Sequence, residues 1–267
     1  MHTIPVAYKI DNKLVFGHPL NMHGDKLEVK VMFIACTEHH VQDIIQAADE
    51  CGVTITNIIA SPLASSPIAT SKTQRIAGCV LANIGSETVS VIIFENNVPI
   101  SLEVFPIGGT DITNDIALGL RIPLEEAESI KLKQSTGDYA YPRKKLEEIV
   151  YARLSDIFEL IEAHLKKNGR SGLLPAGIIL TGGTSGIATI EEMAKASLKL
   201  PSSIASLDLQ NTQIKNGLVK DSSWLVAYGL CVFGLNSPSD LPMLGISDDQ
   251  SVNSGAKVWS WVKKILP

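Results

Sequence analysis

The order of apolar and polar residues along the chain predicts alternating strands and helices. The stretch "KLEVKVMFIAC" (Lys26–Cys36) alternates and then becomes continuously apolar, as a half-buried strand does. The next stretch repeats apolar residues at helical spacing, with Thr37 as the candidate N-cap and Gly52 as the stop. The stretch "VTITNIIA" (residues 53–60) predicts a second strand, so residues 26–60 would form one βαβ unit.

The middle of the chain predicts a hairpin followed by a helical region. The apolar runs "CVLA" and "VSVIIF" flank the polar turn "NIGSET" (Asn83–Thr88), and a third strand follows at Ile100–Ile107. The stretch "GGTDITNDIALGL" predicts a helix capped by Thr110 or Asp111. Another helix, "PLEEAESIKLK", is predicted to begin at Pro123.

The second half predicts a long helix and a buried strand. The stretch "AGIILTGGTSGIATIEEMA" reads as a buried strand, a glycine-rich turn and a new helix, and "WLVAYGLCVFGL" predicts an apolar helix suited to a buried position. Residues 142–168 repeat apolar side chains with the helical period. That stripe consists of Leu146, Ile149, Val150, Leu154, Ile157, Phe158, Ile161 and Leu165.

The end of the chain changes in character. After Leu235 the sequence is polar and contains two prolines, which predicts a flexible linker. In the final "AKVWSWVKKILP", an advance of ~100° per residue places the apolar side chains within an arc of about 160° and the lysines opposite. Such a helix is typical of a membrane-surface anchor; the alternative is docking on its own protein. Its residues are Lys257, Val258, Trp259, Trp261, Val262, Lys263, Lys264, Ile265 and Leu266.

Composition and charge narrow the classes of protein that fit. The chain has 267 residues, 45% hydrophobic and 19% charged, which predicts a globular protein with a sizeable core. Its net charge of −5 and the absence of a basic stripe argue against nucleic-acid binding. No secretory signal follows Met1, and no run approaches the ~18 apolar residues of a spanning helix, so we expect a cytoplasmic protein.

The cysteines are scattered and lie in apolar contexts. The sequence contains neither a CxxC pair nor a His-rich metal spacing, so we expect no metal site. Buried free thiols in a reducing compartment are the simplest interpretation. The four residues are Cys36, Cys51, Cys79 and Cys231.

Three motifs have both a chemical and a structural interpretation. The turn "NIGSET" can present backbone N–H groups to phosphate, but by itself it is more often an ordinary hairpin turn. The turn "TGGTSG" allows close approach to its backbone, but paired glycines also occur at plain strand–helix joints, and it lacks the spacing of a Rossmann fingerprint or a P-loop. Glu128 and Lys131 lie on one helix face, where a solvated ion pair is the simplest interpretation.

The order of these motifs is more specific than any one of them. The series "NIGSETVSVIIF", "PIGGTDITNDIA", "EEAESIK", "IILTGGTSGI" and "SWLVAYGL" resembles the second half of an actin-fold ATPase. Residues 29–66, the linker and the amphipathic tail narrow the resemblance to the bacterial cell-division family FtsA. The resemblance covers essentially the whole chain. It implies an α/β, actin-like (ribonuclease H-like) fold with a complete second half, a truncated first half and a remnant of the family's inserted βαβ subdomain.

The resemblance also implies a division of the chain into segments. Two belong to the first half, three form the second half, and two follow the body. In chain order they are the end of the inserted subdomain (1–54), a remnant of the first-half core (55–75), the second-half nucleotide-binding core (76–120 and 175–235) interrupted by a distal subdomain (121–174), the linker (236–254) and the membrane-targeting helix (255–267).

A nucleotide site is implied as well. By resemblance, ATP would bind with its phosphates on the hairpin and its adenosine on the glycine-rich turn. Glu128 and Lys131 would reach the nucleoside, at its ribose. The residues implied are Asn83, Gly85, Ser86 and Thr88 of the hairpin, Glu128, Lys131, and the glycines Gly182 and Gly183.

Partners follow from the same resemblance. In the FtsA family the tail binds anionic lipids of the inner membrane, the body assembles with itself into actin-like filaments, and other division proteins bind it. The distal subdomain binds the tubulin-like FtsZ, and Arg153 on the long helix is a candidate contact. The implied location is the cytoplasmic face of the bacterial membrane at the division site.

Two departures from the family pattern bear on the chemistry. The family hairpin reads "DIGGGT", whereas this chain has Asn83 in place of the aspartate, and Ser86 and Glu87 in place of two glycines. An amide cannot supply the carboxylate's charge to Mg²⁺, and Glu87 places an acid where phosphates would lie. By resemblance, the chain also begins inside the inserted subdomain, without the first phosphate loop. We therefore expect no catalytic residue and at most a weak ATPase.

Three functions follow, in order of preference. The first is a membrane-tethered, nucleotide-binding adaptor that links FtsZ to the membrane. The second is an actin-fold ATP-binding protein, either an active ATPase or a degenerate form without independent ATPase activity. The third is a soluble α/β protein whose tail docks internally.

Overall fold

The computed structural model describes residues 2–133, 141–205 and 222–235. The predicted linker and the amphipathic tail (residues 236–267) lie outside these ranges. Among the described residues, no helix combines the length and the apolar character that a membrane span requires. The described residues separate into two compact units, and each unit is considered by itself.

The first unit includes residues 2–60 and contains a three-stranded antiparallel sheet in the order β2-β1-β3. Asp11 and Asn12 join β1 to β2, and both have positive φ, as a tight type I′ hairpin turn requires. A helix follows the third strand. The elements are β1 (His2–Ile10), β2 (Lys13–Val15), β3 (Leu27–Ile34) and α1 (Glu38–Glu50).

The sequence predicts part of this unit correctly. Strand β3 and helix α1 are confirmed, with Thr37 at the N-cap and Gly52 in a left-handed conformation after the last turn. Strands β1 and β2 are not evident from the pattern. One physical reason is the irregularity between Pro5 and Ala7, which breaks the period-two alternation of β1.

The strand predicted at residues 53–60 is wrong, and so is the βαβ unit. These residues form neither helix nor strand, and two of their N–H groups bond to side chains. Ile58 donates to Oδ1 of Asn57 at 2.7 Å, and Ala60 donates to Nε2 of His2 at 3.0 Å. Extended propensity makes a strand only where a neighbouring strand offers its hydrogen bonds. The sheet of the first unit is therefore antiparallel throughout the described residues.

The second unit, residues 61–231, is built on a five-stranded sheet in the order β6-β5-β4-β7-β8. Strands β4, β5 and β6 are antiparallel neighbours, whereas β7 and β8 run parallel to β4. The predicted hairpin, third strand and buried strand are thereby confirmed. The strands are β4 (Cys79–Ile84), β5 (Val89–Glu95), β6 (Val98–Phe105), β7 (Ile178–Thr181) and β8 (Ser202–Ile204).

Helices surround this sheet, and α6 supplies much of its core. All members of the predicted stripe on α6 are buried except Ile149, which is partly buried and packs against the same core. Short 3-10 turns occupy Gly183–Gly186 and Ser222–Trp224. The helices are α2 (Ser61–Ala69), α3 (Lys72–Ala77), α4 (Gly109–Leu120), α5 (Leu124–Lys133), α6 (Arg143–Lys167), α7 (Ile190–Leu198) and α8 (Leu225–Leu235).

The cap predicted for α4 is wrong by two or three residues. The N-cap is Gly108, not Thr110 or Asp111. Asp111 acts from the first turn instead, because its carboxylate accepts a hydrogen bond from the Gly108 N–H at 2.8 Å. A side chain at position 108 would have no room, since a Cβ there would lie 2.4 Å from the carbonyl oxygen of Ser86.

Two predictions of burial are also wrong. In α8 only Leu225 and Gly229 are buried. Gly229 is the point of close approach, since a Cβ there would meet the Ala64 carbonyl oxygen at 1.7 Å. Among the cysteines only Cys79 is buried, because it alone lies on a central strand; the exposed ones are Cys36, Cys51 and Cys231.

Candidate functional site

The β4–β5 hairpin is tighter than its sequence suggests. Asn83 belongs to β4, where it pairs with Ser90 of β5 and Thr181 of β7, so the turn does not begin at Asn83 as expected. The Gly85 N–H donates to the Thr88 carbonyl oxygen at 2.9 Å and closes the turn. Residues 86–88 are exposed at its tip. The hairpin therefore presents three residues of backbone, together with the Thr88 hydroxyl and the Ser86 hydroxyl, which lies 2.9 Å from the Thr110 hydroxyl.

The hairpin turn rests on the N-terminus of α4. The Gly109 N–H donates to the Gly85 carbonyl oxygen at 2.9 Å, and the Thr110 N–H donates to the Ser86 carbonyl oxygen at 2.8 Å. These are two of the N–H groups that a helix leaves without an internal partner. Both N–H groups therefore donate to the hairpin and are not free to bind a ligand. In the described part of the chain the N–H groups of Ser86 and Glu87 donate to no backbone carbonyl, so they remain available to an anion.

The two glycines after β7 are present for different physical reasons. Gly182 has φ +91°, and a Cβ there would lie 2.4 Å from both Oδ1 of Asn83 and the carbonyl oxygen of Ile84. Gly183 has ordinary backbone geometry, and a Cβ there would meet no atom of the described residues within 4 Å. Gly182 is thus required by the packing of β7 against β4. Gly183 borders open space, where another group can approach the backbone.

Thr184 links the glycine-rich turn to the hairpin. Its buried hydroxyl donates to the Gly85 carbonyl oxygen at 3.1 Å. That carbonyl also accepts from Gly109, so the hairpin, α4 and the turn after β7 meet at one oxygen atom. Thr184 cannot be identified from the sequence, because its partner lies 99 residues away.

Glu128 and Lys131 form the predicted ion pair, at 2.7 Å between Oε2 and Nζ. The pair is not simply solvated, since the Lys131 side chain is 12% exposed and that of Glu128 is 44% exposed. Nζ of Lys131 also donates to the Gly109 carbonyl oxygen at 3.0 Å, which brings α5 to the same place as the hairpin. Burial acts to raise the pKa of Glu128, but hydrogen bonds from Lys131 and Thr113 and the charge of Lys131 outweigh it, so the pKa is lowered.

The structure therefore brings the predicted nucleotide-site residues into one region of the second unit. Its donors are backbone amides and hydroxyls at the hairpin tip, which suit phosphate oxygens. Glu128 is an acceptor suited to hydroxyl groups. The donor set does not fit Mg²⁺. Asn83 is an amide that packs against Gly182, and the nearby carboxylate of Asp111 accepts the Gly108 N–H.

Arg153 lies on α6 and makes internal contacts. Its guanidinium holds Asp115 of α4 through two hydrogen bonds of 2.6 and 3.0 Å, and Asp156 lies at 3.4 Å. The hydrogen bond to Asp115 raises the pKa of Arg153, and burial acts in the opposite direction. Its side chain is 28% exposed. The predicted role in binding FtsZ remains a prediction.

A group of possible metal ligands lies on α1 and is not identified in the sequence analysis. Ligand atoms of His39, His40 and Asp43 lie within 4.8 Å of one another, and all three residues are exposed. The two imidazoles occupy the first turn of the helix, whose positive dipole end disfavours a cation. The predicted membrane-binding residues, from Lys257 to Leu266, lie outside the described part of the chain.

Comparison with known proteins shows which family this chain resembles. The family model described as "Cell division protein FtsA" matches residues 80–229. Cell division protein FtsA of Pseudomonas aeruginosa is 31% identical over 92% of this chain and 64% of its own length. The protein of that name from Bacillus subtilis is 27% identical over 86% of this chain and 55% of its own length. The chain thus spans less than two thirds of the length of each of these relatives.

Solved structures agree on the fold. The chain superposes on a structure of the PilM–PilN type IV pilus biogenesis complex with a TM-score of 0.66 and 18% identity, covering 82% of this chain and 65% of that one. It superposes on ADP-bound MreB5 of Spiroplasma citri with a TM-score of 0.59 and 15% identity, covering 86% and 88%. These neighbours have the actin-like fold, which this chain shares. With the family model matching more than half of its residues, the chain belongs to the FtsA family of cell-division proteins.

Proposed function

We propose that this chain is a membrane-tethered adaptor of cell division. Its C-terminal helix binds anionic lipid on the cytoplasmic face of the membrane, and its actin-like body binds nucleotide, assembles with itself and holds FtsZ. Membership of the FtsA family supports the role in division.

The observation that carries the tether is the sequence of the tail. Residues 255–267 contain two tryptophans, three lysines and no acidic residue, and the apolar and cationic side chains separate onto opposite faces of a helix. Tryptophan is favoured at the membrane interface, and lysine is attracted to anionic headgroups. A segment this short binds weakly alone, so self-assembly of the body would strengthen it through avidity.

Nucleotide binding is supported by the geometry at the hairpin. The N–H groups of Ser86 and Glu87, which donate to no backbone carbonyl within the described residues, would donate to phosphate oxygens, and a base would lie against the backbone at Gly183. Glu128 supplies an acceptor for sugar hydroxyls. Since Asn83 replaces the acid that would hold Mg²⁺, the bound nucleotide serves structure more than turnover. The alternative is a degenerate actin-fold protein that binds ATP without independent ATPase activity.

Vesicle flotation with purified FtsZ tests the tether. We expect the full chain to float with vesicles of phosphatidylglycerol and phosphatidylethanolamine and to carry FtsZ with it. The double substitution Trp259→Glu/Trp261→Glu should lower the floated fraction about tenfold or more, because it places two charges on the apolar face.

Trp224→Glu is the matched control, because Trp224 is 58% exposed and lies outside the tail. It should float like the wild type. Equal flotation of the double variant would refute the tether. If the chain floats with the vesicles but FtsZ does not, the proposed binding of FtsZ is refuted and the proposed membrane binding is supported.

A further inference from the structure

A three-residue cluster on α4 and α5 determines which atoms are free to meet a ligand. It consists of Thr113, Glu128 and Lys131. The Thr113 side chain is buried, with its hydroxyl 2.5 Å from Oε2 of Glu128 and 2.8 Å from Nζ of Lys131. The resemblance to FtsA implies that Glu128 and Lys131 both reach the nucleoside. The contacts of the cluster lead to a different assignment.

Lys131 has no donor left for a ligand. An ammonium group carries three N–H donors. In Lys131 three acceptors surround the nitrogen: the Gly109 carbonyl oxygen at 3.0 Å, the Thr113 hydroxyl at 2.8 Å and Glu128 Oε2 at 2.7 Å. With the side chain 12% exposed, a nucleotide could reach Nζ only by breaking one of these contacts.

Thr113 connects the other two members. Its hydroxyl has one proton and accepts from Lys131, so its donor is left for either Glu128 or the Gly109 carbonyl oxygen at 3.1 Å. The bond to Glu128 is the stronger of the two because its acceptor is charged. Oε2 of Glu128 is therefore fixed from two sides, by a hydroxyl and by an ammonium group.

The other carboxylate oxygen of Glu128 differs from Oε2. Within the described residues Oε1 has no hydrogen-bond or ion-pair partner, and the side chain is 44% exposed. A carboxylate oxygen accepts hydrogen bonds from hydroxyl groups and repels phosphate. The ligand group that suits Oε1 is therefore a neutral hydroxyl, such as those of a ribose.

We propose that Thr113 and Lys131 are positioning residues that hold Glu128, and that Oε1 of Glu128 alone makes the contact with the ribose hydroxyls. This inference rests on the proposed nucleotide binding. It assigns Lys131 no contact with the nucleotide, and it adds Thr113, which the motif series does not single out.

Calorimetric titration with ATP and with 2′,3′-dideoxy-ATP tests the proposal on the full chain. We expect the wild type to prefer ATP about tenfold, the ratio that one charge-assisted hydrogen bond provides. Thr113→Val keeps the shape and removes the hydroxyl, so the preference should fall to about twofold or less. Thr113→Ser restores the hydroxyl and should restore the preference. Lys131→Met should reduce the preference as Thr113→Val does, and the two together should reduce it no further.

Each other outcome has a definite meaning. If Lys131→Met weakens both nucleotides equally while Thr113→Val keeps the preference, Lys131 contacts the ligand and the inference is overturned. A wild type that binds both nucleotides equally also overturns it, with nucleotide binding intact. A wild type that binds neither refutes the proposed nucleotide site, and the inference with it. If Thr113→Val does not fold, Glu128→Met and Thr113→Ser decide by the same ratio. Glu128→Met removes both acceptor oxygens and should lose the preference, whereas Thr113→Ser should keep it.

Discussion

At the scale of single residues, neighbours in the sequence have unrelated roles. Gly182 lies against the Asn83 side chain and the Ile84 carbonyl in a left-handed conformation, whereas Gly183 borders open space. Glu128 and Lys131 differ in the same way, since Lys131 is enclosed by protein acceptors and Glu128 has one oxygen that is free within the described residues. A motif match treats such pairs as equivalent, but their surroundings separate them.

The two glycines give a prediction with an internal control. Gly182→Ala should lower the free energy of unfolding by about 2–4 kcal/mol, because the new Cβ meets backbone at positive φ. Gly183→Ala should change it by about 0.5 kcal/mol or less and should weaken ATP binding instead. Urea unfolding followed by circular dichroism measures the first effect, and calorimetric titration measures the second. Equal destabilisation by both substitutions would contradict this division of roles.

At the scale of elements, α4 bonds to three other parts of the second unit: the β4–β5 hairpin, α5 and α6. Its N-terminus receives the hairpin, Thr113 in its second turn holds the ion pair of α5, and Asp115 holds Arg153 of α6. The sequence of α4 predicts a helix and the approximate place of its N-cap, but it does not predict which other elements the helix contacts. Three of its side chains, Thr110, Thr113 and Asp115, and two of its N–H groups bond to other elements. A change in α4 is therefore expected to alter both the candidate site and the packing of α6.

The Asp115–Arg153 pair tests whether Arg153 acts through α4. Arg153→Ala and Asp115→Asn should each lower the free energy of unfolding by about 1 kcal/mol, and the double variant by little more than either, because both remove the same bidentate contact. A double-mutant cycle in urea measures this coupling. Strict additivity would show that the pair contributes nothing.

FtsZ co-sedimentation with the same variants separates the two roles of Arg153. If Arg153 contacts FtsZ directly, Arg153→Ala weakens binding and Asp115→Asn does not. If both variants weaken binding equally, the residue acts through its internal ion pair, and the predicted contact is wrong.

At the scale of the whole molecule, the two units differ in how much they bury. In the first unit α1 has no buried residue, and the buried apolar side chains of the described part are Ile4 and Ile34. The second unit has an extensive core on both sides of β4 and β5, and one buried histidine lies beside it. His164 of α6 bonds to the Ser101 hydroxyl at 3.0 Å through Nε2, and Nδ1 lies 3.6 Å from Glu103. The first unit has a buried histidine of its own, since His2 is also buried and burial lowers its pKa to about 4. Acidification is therefore expected to destabilise both units.

Part of the pH dependence of stability, that of the second unit, follows from His164. Burial lowers its pKa from the ordinary 6.5; Glu103 opposes this, and Lys167 adds to it. The folded protein therefore binds this proton less readily than the unfolded chain. The stabilisation is present above pH 6.5 and is lost as the pH falls from there towards the folded pKa.

Urea midpoints between pH 7.5 and 5 measure this effect. The wild type should lose stability on acidification more steeply than His164→Gln, whose amide can still bond to Ser101 but does not titrate. Parallel curves for the two proteins would show that His164 is not responsible for the acid sensitivity.

Much of the second unit can be predicted from the sequence, but less of the first. The strands around "NIGSET" and the stripe of α6 follow from local periodicity, and the structure confirms both. Residues 53–60 have the same alternation but lack a strand partner, and β1 is interrupted by the irregularity at Pro5. In the site, Thr113 and Thr184 could not be found from spacing, because neither residue belongs to the acidic, basic or glycine pattern that defines the motifs.

By itself, the sequence determined the period of each major element, the order of the motifs and through it the family, and the two faces of the tail. These properties reside in consecutive residues, so they can be read without a structure. The tertiary structure alone decided that Gly85, Gly109 and Thr184 meet at one carbonyl oxygen, that Asn83 packs on Gly182, and that Lys131 is enclosed. The physical reason is that each contact joins segments distant in the chain, and only the packing of α4, α5 and the strand ends brings their atoms within bonding distance.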